Sequence, residues 1–291
     1  MPNLKDIRIR ISSVKTTRQV TSAMKMVSAA KFKKAHDQII AFRPYVEKLN
    51  EILQNLVNSS EEDTLSLFTN SREPDRILIL SVTSNRGLCG AFNSNIVKEI
   101  ESLIKKKYKA QYSNKMVDII AIGKQGQKLL KSHGYNVVMD HNDIYNDLTY
   151  ENVSAITNDI MNKFLDKTYD RIEVVYNEFV NAAVQEVTVS QFLPLEIDTN
   201  STSSGVDYIF EPDKNTLIKS VIPKALKTKI YKWILESVAA EHGARMTSMH
   251  KATDNATVLL GDLQLMYNKA RQSAITNEIL EIVSGANALK S

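Results

Sequence analysis

The residues able to do chemistry are few, and their spacing is unhelpful to an enzyme. The five histidines, His36, His133, His141, His242 and His250, include no i, i+4 pair and no H-E-x-x-H run, so zinc chemistry has no ligand set. The one cysteine, Cys89, sits between Leu88 and Gly90 just past a β-rich run. There a packed thiol is the reading, and neither a disulfide nor a cysteine-based zinc cluster is possible. Ser84 and Ser190 lack a G-x-S-x-G setting. Gly87 and Gly90 in SNRGLCGAF, and GKQGQKLL from Gly123, resemble phosphate loops only in glycine content. Neither matches G-x-G-x-x-G or G-x-x-x-x-G-K-[ST], and both read as tight strand-to-helix turns. The residues describe no catalytic, cofactor or metal site of the chain's own.

The elements that position these residues fall into three stretches. From Leu4 apolar positions step 3, 4, 3 through Ile7, Ile11 and Val14. The same frame lands later on Phe32, Ala35, Ile39, Phe42, Val46, Leu49, Leu53 and Leu56, which predicts one helix of roughly 80 Å with Pro44 as its only break. Between the two apolar runs the frame meets Arg18, Thr21, Lys25 and Ser28, while Val20, Ala23, Met24, Val27 and Ala30 lie off it. Two arrangements fit: a stutter turns the polar set outward, or the frame continues and the coil there opens or is surrounded by another protein. At the other end, after the stop-start signals Pro212 and Pro223, Met249, Ala252, Ala256, Leu259, Leu263, Met266 and Ala270 keep heptad spacing. From Lys224 to Ser284 such a helix reaches roughly 90 Å, with Gly243 and Gly261 expected to allow close helix approach. Two helices with apolar stripes this long are expected to pair antiparallel; the alternative is two amphipathic helices packed separately on a globular core.

The middle alternates RILILSV (76–82), MVDIIAIG (116–123) and RIEVVYNEFV (171–180) with helical segments at about 91–111, 125–132 and 149–166. This predicts a parallel sheet covered by helices, with EVTVSQFLPLEI (186–197) added antiparallel. The fold class is therefore α/β: a long antiparallel coiled coil of terminal helices with a central Rossmann-like domain. The organisation is an N-terminal coil helix over 1–57, a linker over 58–75, the α/β domain over 76–197, a linker over 198–213 and a C-terminal coil helix over 214–291.

Of 291 residues 43% are hydrophobic, enough for a sizeable core, and no run approaches the ~18 apolar residues of a membrane span. Charges in MPNLKDIRIR argue against a signal peptide. The net charge of +4 divides into +7 over Met1–Val57, −8 over Asn58–Asp213 and +5 over Lys214–Ser291. Basic ends fit nucleic acid, anionic membrane or an acidic protein. Nucleic-acid binding lacks interleaved aromatics and any known module, and a nucleotide-dependent enzyme built on the middle domain is the other competing reading.

The segments IRIRISSVKTTRQVTSAMKMVSAAKFKKA, SNRGLCGAFN, EHGARMTSMHKATDNA and YNKARQSAITNEILEIVSGANAL resemble the gamma-subunit family of F-type ATP synthase, the central rotor shaft. The resemblance covers essentially the whole chain. It implies a coil that passes up a ring of three alpha and three beta subunits, a foot that rests on the c-subunit ring and holds epsilon, and ATP chemistry that belongs to beta. It implies coupling of c-ring rotation, driven by proton flow, to conformational change at beta. Membrane association then comes only through the complex, peripherally, at the cytoplasmic face of a bacterial inner membrane. By motif the rotor-stator contacts it implies are Met24 and Lys25 in SAMKMV, Arg245 in GARMTSM, and Arg271, Gln272, Thr276 and Glu278 in KARQSAITNE. The regulatory cysteine pair of some photosynthetic members is absent.

Overall fold

The computed structural model describes residues 4–58, 66–69, 72–182, 184–195, 211 and 214–288. Helix α1 spans Leu4–Asn58 and α2 Ser66–Thr69. They are followed by β1 (Ile77–Val82), α3 (Phe92–Lys107), α4 (Lys109–Ser113), β2 (Val117–Ile122), α5 (Lys124–Ser132) and β3 (Val137–Asp140). A 3-10 turn at Asn142–Asn146 leads to α6 (Tyr150–Leu165), β4 (Arg171–Phe179), β5 (Gln185–Leu193) and α7 (Lys214–Ala288). The chain divides into two compact units, Met1–Ser28 with Met246–Ser291, and Ala29–Arg245.

The larger unit is built on a five-stranded sheet in the order β3-β2-β1-β4-β5. Strands β1, β2, β3 and β4 pair parallel, and β5 joins β4 antiparallel through a short connection. Near-continuous aliphatic runs explain the parallel centre: all six residues of β1 are buried, because helices cover both faces. On one face Ile96, Ile100 and Ile104 of α3 and Leu130 of α5 pack on Ile77, Ile79 and Ile119. On the other, α6 supplies Val153, Ile160, Met161 and Phe164, and α7 supplies Ile218, Ile222, Leu226, Ile230, Trp233 and Ile234. Trp233 stacks on Tyr176 of β4 with ring centroids 5.4 Å apart.

Several sequence expectations change. Strand β3 was not anticipated: four residues of an edge strand, alternately half-buried and exposed, leave too short a pattern to stand out from a loop. Pro44 does not break α1 and Pro223 does not break α7. Pro44 is exposed, so water can take the hydrogen bond that its ring removes from the helix. Around Pro223 the buried series Ile218, Ile222, Leu226, Ile230 anchors the helix on both sides of the proline. A Cβ on Gly243 would meet the Ala182 carbonyl oxygen at 3.1 Å, so this glycine admits the β4–β5 turn and not a helix, and Gly261 has open space around it.

The expected helix over 91–111 divides at Tyr108. Its phenol turns inward to donate to Glu173 on β4, a carboxylate only 1% exposed, whose other partner is the Lys107 ammonium at 2.5 Å. Burial, and then the carboxylate beside it, push the Tyr108 phenol well above its ordinary value, so it stays a donor. Lys107 is the visible counter-charge of a carboxylate withdrawn from water. Lys107→Met is therefore expected to cost about 2 kcal/mol, below the range for fully buried pairs because the lysine is half solvated. Lys107→Met combined with Glu173→Gln should recover most of that loss in urea unfolding. A single variant as stable as the parent would remove Lys107 from this role.

Candidate functional site

Two surfaces hold the residues singled out by sequence. The first is the paired-helix unit. On α1 the heptad frame runs without a slip through Ile7, Ile11, Val14, Arg18, Thr21, Lys25 and Ser28, every one of them buried or half-buried. The frame therefore continues, and the stutter is excluded. Thr21 and Ser28 are buried, and the Thr253 hydroxyl of α7 donates to Thr21 Oγ1 at 2.8 Å while Thr21 donates to the Arg18 carbonyl at 3.1 Å. A short hydroxyl relay thus pairs Thr253 and Thr21 within this layer. Of the apolar residues off the frame, Val20 and Val27 point outward, as does Met26, each 52–63% exposed, while Met24 is half-buried.

On α7 the seam is Met249, Thr253, Ala256, Leu260, Leu263, Tyr267 and Ala270. Expected seam members Leu259 and Met266 are exposed instead, and Leu260 and Tyr267 take their places. A heptad seam is satisfied by steps of 3-4 or 4-3, and the adjacent pair Leu259–Leu260 leaves hydrophobicity unable to choose. Polar contacts choose: Thr253 meets Thr21, and Tyr267 accepts from Arg8 of α1 at 2.8 Å, with the Arg8 guanidinium 5.7 Å from the ring centroid. Lys25 is half-buried in the α1 frame, and Met24 is half-buried beside it. Arg271, Gln272, Thr276 and Glu278 are all exposed, and Thr276 donates only to the Gln272 carbonyl of its own helix at 2.9 Å.

The second surface lies in the larger unit, at the C-terminal ends of β1 and β4. This is where the strand order reverses and where doubly wound folds bind nucleotides. Here the crevice is full. Leu235, Ala239, Ala240 and Ala244 of α7 pack with Cys89, Phe92 and Phe179, and Ala35 and Ile39 of α1 close the cluster. The start of α5, where GKQGQKLL offers its glycines, is likewise spent on the chain itself. The amide of Lys124 donates to Asn85 Oδ1, that of Gln125 to the Ser84 carbonyl and that of Gly126 to Thr83 Oγ1, each at 3.0 Å. A Cβ on Gly123 or Gly126 would collide with Thr83, so these glycines serve close strand-to-helix packing. Cys89 is 2% exposed and accepts from Asn93 Nδ2 at 3.3 Å; burial pushes its thiol up, away from the reactive thiolate.

Arg245 belongs to this second surface, and its surroundings differ from those of a free contact residue. It is 7% exposed. Its Nε donates to the Gly87 carbonyl at 3.2 Å, one terminal nitrogen donates to the Arg86 carbonyl at 2.9 Å, and the other lies 2.7 Å from Glu241 Oε1. His242 beside it is held down to about 4 by burial first and then by Arg245 and Lys31, so it stays neutral near pH 7. Sequence reasoning missed Glu241 and the Arg86 and Gly87 carbonyls. The i, i+4 spacing of Glu241 and Arg245 was the available signal, and it looks like any surface helix pair.

The family model described as ATP synthase matches residues 3–289. The ATP synthase gamma chain of Flavobacterium johnsoniae is 55% identical over 294 residues, covering 99% of each chain. That of Chlorobium phaeobacteroides is 41% identical over 290 residues and covers 100% of both. Among solved structures, a chain of the Euglena gracilis mitochondrial ATP synthase, OSCP/F1/c-ring in rotational state 3, aligns with a TM-score of 0.70 at 20% identity, over 98% of this chain and 94% of that one. A rotor chain of the same enzyme aligns with a TM-score of 0.67 over 94% of this chain. With a family match over nearly every residue and full-length relatives above half identity, the chain belongs to the ATP synthase gamma-chain family.

Proposed function

We propose that this chain is the central shaft of an F-type ATP synthase, turning inside three alpha and three beta subunits, with its sheet-containing unit on the c-subunit ring and against epsilon. The observation that carries this reading is the end of α7. Every residue from 271 to 287 is exposed, yet Ile275, Ile279, Leu280, Ile282 and Val283 are large, apolar and 49–66% exposed. A helix with apolar side chains on several faces and no cover of its own fits a sleeve made by other chains. Val20, Met26 and Val27 extend the same logic to α1.

In this role the chain makes no bond in ATP chemistry. Its uneven surface contacts each beta subunit differently at each angle, and differential contact is what shifts a subunit between conformations of different nucleotide affinity. Linkage makes the device reversible, so hydrolysis at beta drives the shaft backwards. Proton flow through the c ring supplies rotation in synthesis. The location is peripheral, at the cytoplasmic face of a bacterial inner membrane, and attachment comes through the complex. No described helix is long and apolar enough to cross a membrane. Met24, Lys25, Arg271, Gln272, Thr276 and Glu278 face the ring, and Arg245 supports the contact from inside.

Replacing Arg271, Gln272, Thr276 and Glu278 together with Ala removes up to four polar contacts of about 0.5 kcal/mol each, roughly a thirtyfold change in the bias between beta conformations. Ion-driven ATP synthesis by the reconstituted complex should fall severalfold or more while the ring still hydrolyses ATP. Undiminished synthesis overturns the assignment. Val20→Ser with Val27→Ser should change the chain's own unfolding by no more than about 0.5 kcal/mol per site, because both side chains are exposed. Binding to the alpha–beta ring should nevertheless weaken about tenfold, as loss of two buried methyl-rich contacts requires. Unchanged affinity would place these valines outside the interface.

A further inference from the structure

Resting on the rotor reading, we infer that Arg245 is a positioning residue, which holds the turn after β1 so that Leu88 stands out as an apolar contact point, and that it acts on the surrounding ring only through that turn. The turn has an unusual form. Leu88 takes a φ of 63°, left-handed for a residue with a branched side chain, and Gly90 follows at 61°. Leu88 is nevertheless 63% exposed, whereas its neighbour Cys89 is 2% exposed. A strained backbone that pushes an apolar side chain into water, beside one that it buries, is arranged for presentation and not for packing.

Arg245 fixes that arrangement from behind. Its two carbonyl acceptors belong to Arg86 and Gly87, the residues immediately before Leu88, and Glu241 at 2.7 Å keeps the guanidinium aimed at them. On the inner side Ser84 donates to the Arg86 carbonyl at 2.7 Å, and Asn93 accepts from the Ser84 amide at 2.9 Å. The turn is therefore clamped at its start by Asn93 of α3 and in its middle by α7. With its donors used inside the chain and 7% of its surface left, Arg245 offers little to a partner. The Arg86 side chain, exposed like Leu88, gives the tip a cation next to an aliphatic group. The partner that fits is a ring-subunit surface with a carboxylate beside an apolar recess.

The charges facing Glu241 are Arg245, Lys31 and Arg86, with neutral His242 and the Tyr145 phenol nearby. Burial raises the Glu241 carboxyl, and Arg245 is the largest influence holding it down. Arg245→Ala must therefore move this titration further up. A carboxyl raised in the folded chain binds its proton there first, so stability falls as pH rises through the folded value. The Arg245→Ala complex should accordingly lie furthest below the parent in melting temperature above the raised value and approach it as pH falls back toward the ordinary carboxylate range.

The decisive experiment is a double-mutant cycle in the reconstituted complex, with ATP made per ion driven across the membrane as the readout. Leu88→Ala and Arg245→Ala should each lower the yield about fivefold, and the pair should do no worse than either alone, because both remove the same contact. Arg245→Lys should recover part of the yield. If Arg245→Ala fails to assemble, Glu241→Gln, which frees the guanidinium without changing size, takes its place in the cycle. Losses that multiply, or a Leu88→Ala complex with full yield, overturn this inference. If the complex stays coupled without this chain, the rotor reading itself fails; if the tail variant is uncoupled and Leu88→Ala is not, only the inference does.

Discussion

A two-helix coil has one seam, and whatever lies off that seam is left to water or to another molecule. That constraint governs the Met1–Ser28 and Met246–Ser291 unit. Its seam accepts polar residues at Arg18, Thr21, Lys25 and Ser28 and leaves Val20, Met26 and Val27 outside. Folding alone would favour the reverse, since each half-exposed valine forfeits roughly 0.8 kcal/mol of burial. Part of the cost is offset because Thr21 is paired, accepting from Thr253 and donating to the Arg18 carbonyl. The outward valines and methionine are then left exposed along the paired helices.

The same helix that forms half of the coil decides what the sheet can do. Along 218–244, α7 is buried on several sides, contributing first to the core under β4 and then to the cluster at the strand ends. Alanines at 239, 240 and 244 let it lie close to Phe92 and Phe179. The place where a doubly wound sheet would receive a nucleotide is thereby taken by the chain, and the first amides of α5 are consumed by Thr83, Ser84 and Asn85. One helix and one turn thus fill the strand-end crevice.

Much of this was legible in the sequence where the pattern was long. The α1 frame could be followed from Leu4 to Leu56 because sixteen positions repeat it, and the buried strands announced themselves by unbroken aliphatic runs. What could not be read were choices made by single contacts between distant residues. Leu260 displaces Leu259 in the seam because Thr253 finds Thr21, more than two hundred residues away. The helix over 91–111 breaks at Tyr108 because its phenol finds Glu173. Prolines misled for a related reason: local rules assign Pro44 and Pro223 a cost, and packing or hydration outweighs it.

Arg245 is a residue whose motif the sequence marks and whose donors the fold spends inside the chain. In sequence it is a basic residue on a coil helix, and a basic residue next to an acidic partner suggests a direct charge pair. In the fold its donors go to the Arg86 and Gly87 carbonyls and to Glu241. Lysine could replace the charge but not the fork that reaches two carbonyls and a carboxylate at once. The requirement at this position is thus geometric. A planar donor set ties the turn after β1 to α7, and the exposed Leu88 takes its position from that tie.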